Sequence, residues 1–341
     1  MFLLGILRKQ WFVVALLLTM LVASQWPPAS MHARIWDWLS YAAIMLVFLA
    51  SGLSLRSATL RAAVGHWRIH LSIQAISFLL APLIAWTAAS ALLAAELIDP
   101  ALATGIIICG ALPTTIVYCV AINRAVGANT SAALVNATLG NLLGVVITPL
   151  WVLGASGPAD SSALWLAVLR LLPLVIVPVI VGQLLRLRWA AWADAHPRIL
   201  GQGPLSFLLI IIFVAMARAA QADALPSGSM ALLVMLGMLA MHGVFLVMSA
   251  GVAALPPLGL SPADRATVTI CGSQKTMALG VPLIALCFPG HAQLAIIMLP
   301  IICYHPLQLI LAALMVPWWR AWLARRQAAV GTATTAPLSA P

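Results

Sequence analysis

The chain has 341 residues, of which 64% are hydrophobic and only 7% are charged. So much apolar surface cannot be buried in one water-soluble core, which indicates that lipid is its solvent. In hydrocarbon every backbone N–H and C=O needs a partner inside the protein, and the long apolar runs favour helices over short alternating strands. The net charge of +10 comes from basic residues in small groups between these runs, without aromatic interleaving. This pattern indicates loops at an anionic membrane surface and does not favour a nucleic acid partner.

Ten apolar segments are long enough to cross a bilayer, since one crossing takes about twenty residues. They are predicted at 10–27, 38–55, 69–94, 100–122, 130–154, 162–184, 204–220, 229–254, 266–288 and 292–316. Residues 321–341, which end in a stretch rich in Ala, Thr and Pro, are predicted to form a disordered cytoplasmic tail.

The distribution of basic residues predicts how the chain is oriented in the membrane. Of the 17 Lys and Arg residues, 13 fall at the termini or in alternate loops, two fall on the opposite side and two lie within spans. The first group comprises Arg8, Lys9, Arg56, Arg61, Arg68, Arg124, Arg186, Arg188, Arg198, Arg265, Arg320, Arg325 and Arg326. Because cytoplasmic loops carry the excess of Lys and Arg, both termini are predicted to be cytoplasmic.

The two halves of the chain have the same outline. Residues 1–157 and 158–320 each contain five spans, and the fourth span of each carries helix-breaking residues: GALPTT from Gly110, and CGSQKT from Cys271. Five spans per half make the repeats inverted, and interrupted helices at matching positions of inverted repeats are typical of a transporter's binding site. Alternatively, the Gly and Pro residues only bend ordinary spans.

One charged residue stands inside an interrupted span. Lys275 lies in the middle of span nine, where a charge costs about 2.5–3.5 kcal/mol or more, whereas all seven Asp and Glu residues fall in loops or at span ends. Because Lys275 follows a break, we expect it near the start of a half-helix, whose N–H groups attract an anion. Two alternatives follow: Lys275 takes up a proton together with an anionic substrate, or it is a permanently charged tie to backbone carbonyls.

Further polar residues near the breaks are candidates for binding substrate or ion: Gln74, Thr114, Thr115, Tyr118, Asn136, Thr138, Asn141, Ser273 and Gln274. For the polar residues of spans three and five, the alternative role is to hold helices together. His242 and His305 lie in apolar spans and could titrate near neutrality, and His305 is a further candidate for binding substrate or ion, although a lone intramembrane His is more often a packing residue. The five Cys residues all fall in apolar runs and predict neither disulfides nor a metal centre. The sequence contains no nucleophile triad, metal-ligand spacing or phosphate loop, so an enzyme is not expected.

Five short motifs occur in a familiar order: SGLSL at Ser51, NRAVGAN ending at Asn129, NLLGVVITPL from Asn141, CGSQKTMALGVP from Cys271 and CYHPLQL from Cys303. With them the chain resembles the bile acid:sodium symporters, in their divergent symporter-like branch, from about residue 8 to residue 320. The resemblance implies ten helices in two inverted repeats, with helices four and nine broken and crossing, divided into a core and a panel domain.

The resemblance also implies where sodium would bind. In sodium-coupled members a Ser-Asn pair of span four, hydroxyl groups of span five, and a Glu and a Gln-Asn pair of span nine hold two Na⁺ ions. Alignment on Pro113 places Tyr118 and Cys119 at the Ser-Asn pair. Alignment on Gly272 and Gln274 places Ile270 at the Glu and Lys275 at the Asn. We therefore expect no sodium coupling, and an ammonium group in place of a bound ion.

The leading hypothesis is a secondary active transporter that moves a small organic anion across the cytoplasmic membrane by alternating access, without Na⁺. The alternative is a non-transporting membrane sensor that regulates ion or envelope homeostasis. A channel is disfavoured because the sequence has no filter motif and no row of pore charges.

Overall fold

A computed structural model describes residues 11–28, 34–54, 66–155 and 161–334, and within these ranges the chain is helical without any strand. The helices are α1 Trp11–Gln25, α2 Arg34–Ser54, α3 Trp67–Ala94, α4a Pro100–Ala111, α4b Ile116–Val126, α5 Thr130–Ala155, α6 Ser161–Ala195, α7 Pro197–Gln221, α8 Gly228–Ala254, α9a Pro262–Ser273, α9b Met277–Cys287 and α10 Leu294–Thr334. Helix α3 contains one π-helical stretch, Ile76–Leu80. The predicted boundary between the repeats at residue 157 lies outside the described residues, as do Arg8, Lys9, Arg56 and Arg61.

Length and composition agree with a protein that crosses the membrane many times. Among the described residues, eight helical segments are long and apolar enough to span a bilayer when α9a and α9b are counted as one, and the bent pair α4a and α4b makes a ninth. The remaining predicted span, the first one at 10–27, corresponds to the apolar helix α1, which has 15 described residues. The predicted all-helical, multi-pass membrane fold is confirmed.

Two helices extend beyond their predicted ends. Helix α6 continues past residue 184 to Ala195, with a kink at Trp189. Helix α10 continues to Thr334, so the prediction of disorder is wrong for residues 321–334, while residues 335–341 lie outside the described part. The segment from Ala321 to Ala329 contains four Ala and two Arg residues, whose high helix propensity favours continuation of the helix beyond the apolar run.

Packing sorts the helices into two groups, as the resemblance implies. Helices α1, α2, α6 and α7 pack on one another and form the panel group, whereas α3, α4, α5, α8, α9 and α10 form the core group. The contacts are also reciprocal between the halves. Helix α1 packs on α7 as α6 packs on α2; α3 packs on α4a as α8 packs on α9a; and α4b packs on α5 as α9b packs on α10. This pairing is the one expected of two repeats of five spans.

Two glycines bring the panel helices α2 and α6 into backbone contact. A Cβ atom on Gly52 would collide with the backbone of Val179, and a Cβ atom on Gly182 would collide with the Leu49 carbonyl oxygen. Small residues at such crossings let two helix backbones approach each other closely in a membrane. Helices α2 and α6 of the panel group are therefore in direct backbone contact at this crossing.

Candidate functional site

Spans four and nine, the two broken spans, begin in the same way. Helix α4a starts with the N-cap Asp99, whose Oδ1 accepts a hydrogen bond from the Leu102 N–H at 2.8 Å, followed by Pro100. Helix α9a starts with the N-cap Ser261, followed by Pro262. A side-chain acceptor at N-cap and a Pro at N1 suit the first turn of a helix, whose N–H groups lack intrahelical partners.

The two breaks meet and are joined by a backbone hydrogen bond. Span four is extended at 112–115 and bends by 53° between its half-helices, and span nine is extended at 274–276. Pro113 disfavours the helical conformation of Leu112, which ends α4a in an extended conformation. The Thr276 N–H then donates to the Pro113 carbonyl at 2.8 Å. The chain thus places all four half-helix ends at one point, which we call the crossover.

Lys275 is the centre of the crossover. Its side chain is completely buried, and its Nζ donates to the carbonyl oxygens of Gly110 at 2.6 Å, Leu112 at 2.8 Å and Ser77 at 3.3 Å. An ammonium group has three N–H donors, so these three acceptors match its capacity. The ring of Phe245 lies 5.4 Å from Nζ and adds a cation–π contact.

The geometry corresponds to the second of the two predicted alternatives, in which Lys275 contacts backbone carbonyls. The backbone of Lys275 does precede the start of α9b at Met277, but the ammonium group lies among carbonyls at the end of α4a. The C-terminal end of a helix carries negative partial charge, because its last carbonyls lack intrahelical partners. The long side chain therefore crosses from the positive end of one half-helix to the negative end of another.

Gln308 of α10 replaces the helical hydrogen bonds lost at the break. Its Oε1 accepts from the Lys275 N–H at 2.7 Å, and its Nε2 donates to the Lys275 carbonyl at 2.7 Å. The same Nε2 lies 2.9 Å from Nδ1 of His305, a predicted site residue. Gln308 is completely buried and His305 nearly so. The break in span nine is therefore held from α10 through one amide group.

The side chains of Thr115 and Gln274 join the two breaks on a second face. The hydroxyl of Thr115 donates to Gln274 Oε1 at 3.3 Å, and the thiol of Cys119 contacts the same oxygen at 3.6 Å. The Thr114 hydroxyl in turn lies 2.8 Å from the Cys119 sulfur. Gln274, Thr114, Thr115 and Cys119 are all buried, so they form one connected polar cluster.

Helix α5 donates hydrogen bonds to main-chain carbonyls at the break in span four. Asn141 Nδ2 donates to the Thr114 carbonyl at 3.1 Å, and the Thr148 hydroxyl donates to the Ala111 carbonyl at 2.9 Å. Asn136 and Gln74 form a separate pair between α5 and α3, in which Gln74 Nε2 donates to Asn136 Oδ1 at 3.2 Å.

The remaining predicted residues contribute differently. Thr138 is buried in α5. The Ser273 hydroxyl donates to the Ile270 carbonyl at 3.2 Å, within its own half-helix. Tyr118 does not join the polar cluster; its hydroxyl donates to the Leu309 carbonyl of α10 at 2.8 Å, and its ring packs near Trp319 and Trp322.

Sequence reasoning missed Gln308, Tyr304 and Phe245 as site residues. Tyr304 and Gln308 are four residues apart in the CYHPLQL motif and therefore share one face of α10. This spacing of two polar groups inside an apolar span was the available signal. Phe245 carries no such signal, because one more aromatic residue in an apolar helix has no distinguishing pattern.

A crevice runs between the panel and core groups beside the crossover. Its volume is about 20 Å³, which is enough for a water molecule, and we call it the Asn141 crevice. Its lining residues are Phe48, Ser51, Ile116, Asn141, Leu142, Val145, Val179, Ala278 and Leu279. Ile116 is the first residue of α4b, and Ala278 is the second of α9b. Two half-helix N-termini, neither with a side-chain cap, therefore border one crevice.

Comparison with known proteins decides the family. A family model described as the SBF-like CPA transporter family matches residues 10–321. The chain belongs to this family. It is 29% identical to the sodium/bile acid cotransporter 7 of Rattus norvegicus over 327 residues, covering 95% of this chain and 96% of the relative. It is 27% identical to the protein of the same name from Danio rerio over 326 residues, covering 94% and 96%.

A bacterial relative shows a similar match. The chain is 31% identical over 312 residues to an uncharacterized protein of Pseudomonas aeruginosa, covering 89% of this chain and 91% of the relative. Family membership and the apolar helices make the chain a multi-pass membrane protein of a transporter family.

Proposed function

We propose that the protein is a secondary active transporter that carries a small organic anion across the cytoplasmic membrane by alternating access, without Na⁺ coupling. Both termini face the cytoplasm in this proposal, in accord with the distribution of Lys and Arg. The observation that carries the proposal is the ammonium group of Lys275, which lies among three carbonyl oxygens where the two breaks cross.

The residues at the crossover do not suit Na⁺. A hard cation is bound by several oxygen ligands, usually with a carboxylate among them. Among the described residues of α4, α5 and α9, the only carboxylates are those of Asp99 and Asp264, in the first turn or N-cap of their helices and away from the crossover. The carbonyls of Gly110 and Leu112 are already taken by Lys275. A metal ion beside them would also face a fixed positive charge, which is unfavourable in a low-dielectric interior.

The Asn141 crevice supports an anionic substrate. The first N–H groups of α4b and α9b have no intrahelical partners, and a helix N-terminus attracts negative charge. Ser51 from the panel side and Asn141 from the core side add polar groups, while Phe48 and Leu142 add apolar surface. The chemistry of this lining suits a carboxylate or sulfate on an apolar body. The crevice lies between the panel and core groups, so in this proposal it widens for the substrate when the two groups move apart.

The test uses purified protein in proteoliposomes. A thermal-shift screen of organic carboxylates and sulfates, starting with taurocholate, selects the anion that raises the melting temperature most. Labelled uptake of that anion should saturate, show counterflow, and proceed equally in Na⁺, K⁺ and choline media. Saturable uptake that requires Na⁺ would overturn the Na⁺-independent mechanism. A protein that binds no anion and shows no counterflow would favour the sensor.

A further inference from the structure

A chain of buried hydrogen bonds links helix α8 to the break in span nine. The Tyr304 hydroxyl of α10 lies 2.5 Å from the Ser273 carbonyl oxygen and 2.9 Å from Nδ1 of His242. The rings of His242 and Tyr304 meet edge to face at 5.3 Å. All three residues are at most 1% exposed. His242, which the sequence placed only as a lone histidine in an apolar span, therefore joins the crossover through Tyr304.

The hydrogen bonds fix which nitrogen of His242 carries the hydrogen. A carbonyl oxygen can only accept, so the single hydroxyl hydrogen of Tyr304 must point to Ser273. The hydroxyl oxygen is then an acceptor for His242, and Nδ1 must be the donor. In a neutral imidazole the other nitrogen then holds a lone pair. Nε2 of His242 is accordingly a proton acceptor.

His242 lines a second, small crevice beside the crossover. We call it the His242 crevice, and its lining residues are Ile122, His242, Leu246, Ile270, Ser273, Gln274, Ala312, Met315 and Trp319. It includes the residues on either side of the Ser273–Gln274 peptide bond, at the end of α9a. Because Nδ1 is bound to Tyr304, Nε2 is the ring nitrogen that remains for proton binding.

Helix α8 packs on α9a and α10. These two helices bring the Tyr304 hydroxyl, which is bonded to His242, and the Cys271 thiol, two residues before Ser273; Lys275 follows Ser273 by two residues. The described residues of these helices place no Asp or Glu in the crevice. A proton on His242 would therefore add a second positive charge to the side of the crossover that holds Lys275, and an arriving anion would offset it.

We propose that His242 is the proton-binding group of this transporter, and that it exchanges protons with water through the His242 crevice. The lone pair of Nε2 forms a new N–H bond with a proton from hydronium, and Nδ1 keeps its hydrogen bond to Tyr304. The imidazolium then polarises the Tyr304 hydroxyl, which holds the Ser273 carbonyl at the break. Uptake of the proton is thus connected to the geometry of the crossover. This inference rests on the proposed function for its role in transport, but the proton site itself can be tested without transport.

The first test locates the histidine hydrogens by ¹⁵N NMR. Spectra of ¹⁵N-histidine-labelled protein in nanodiscs are compared with those of His242→Gln, in which the His242 signal is missing and is thereby assigned. We expect His242 to carry its hydrogen on Nδ1, and Tyr304→Phe to abolish this preference. As the pH is lowered from about 8 to about 4, Nε2 should gain a hydrogen. A His242 that carries its hydrogen on Nε2, or one that stays neutral throughout, would overturn the proposal.

The second test reads proton movement during transport. Proteoliposomes that contain a trapped pH dye are given taurocholate as the probe. We expect acidification to accompany uptake in the unmodified protein and to fall at least about tenfold in His242→Gln, whose amide still donates to Tyr304. His70→Gln is the matched control, a buried histidine on α3 outside this crevice, and should leave acidification unchanged. Unchanged acidification in His242→Gln would refute the coupling role. If no taurocholate moves at all, transport of this probe fails, while the histidine spectra still decide whether His242 binds the proton.

Discussion

In two regions of the molecule, main-chain carbonyls at a helix end accept hydrogen bonds from side chains of another span, but the two regions differ in exposure and in the charge nearby. At the end of α2, the carbonyls of Gly52 and Leu53 accept hydrogen bonds from Gln183 and Arg186 of α6. Arg186 also forms an ion pair with Asp194 at 2.5 Å, and the carboxylate is 46% exposed. At the crossover, the carbonyls of Gly110 and Leu112 accept from Lys275, which is 0% exposed.

The two regions differ in which other hydrogen-bond donors could reach the carbonyls if the side chain were removed. Near the end of a span, water and headgroups can take over a lost hydrogen bond, and a paired carboxylate offsets the positive charge. In the middle of a span neither is at hand, so an unpaired carbonyl carries its full desolvation cost of about 1–3 kcal/mol. Similar hydrogen bonds should therefore have very different energetic weight in the two regions.

The largest effect is expected from Lys275→Met, which removes the donor to three buried carbonyls and keeps a similar volume. We expect a loss of about 3 kcal/mol or more in stability, measured as a fall in melting temperature by fluorescence-detected size-exclusion chromatography in detergent. A variant that is stable yet loses proton coupling would favour Lys275 as the proton carrier. A variant that is stable and transports normally would contradict both roles.

A smaller effect is expected from Arg186→Met, which makes the comparison quantitative. The Leu53 carbonyl loses its donor and Asp194 loses its ion pair, but both lie near the end of a span. We expect a loss of about 1–2 kcal/mol by the same measurement. An effect as large as that of Lys275→Met would show that depth in the membrane does not decide the cost.

The smallest effect is expected from Asp37→Asn. Arg218 Nη2 lies 2.8 Å from Asp37 Oδ1 between α7 and α2, with 26% and 47% of the two side chains exposed. An exposed pair of this kind contributes about 0–1 kcal/mol and weakens with salt. The melting temperature should change little, and the small difference should vanish in high salt. A large, salt-independent loss would contradict this view of the pair.

The sequence predicts the fold of this protein well because hydrophobicity alone places most helices. The predicted limits of spans three, five and eight agree with α3, α5 and α8 to within two residues, since apolar runs bounded by polar or Gly-Pro segments define them. The ends of α6 and α10 were missed because both helices continue beyond their apolar runs. Helix propensity, which a hydropathy count ignores, decides such ends.

The residues that meet at the crossover were predicted in part. Lys275, Gln274, Thr114 and Thr115 meet at the crossover as the paired breaks indicate, because each stands within or beside a break. The sequence left two alternatives for the Lys275 side chain. Which carbonyls accept from it could not be predicted, since that depends on where the end of α4a lies in space. The roles of Tyr304 and Gln308 depend in the same way on α10 passing beside the break in span nine.

Because Lys275 is part of the chain, its binding to the carbonyls of Gly110 and Leu112 does not depend on the concentration of any ion in solution. A dissociable ion stabilises a folded state only in proportion to its free concentration and affinity, so its occupancy varies with the medium. A cation carried on the chain itself has a fixed, high effective concentration at its site and cannot be diluted away. The crossover should therefore stay assembled whatever the salt composition on either side of the membrane, including in media that contain no sodium at all.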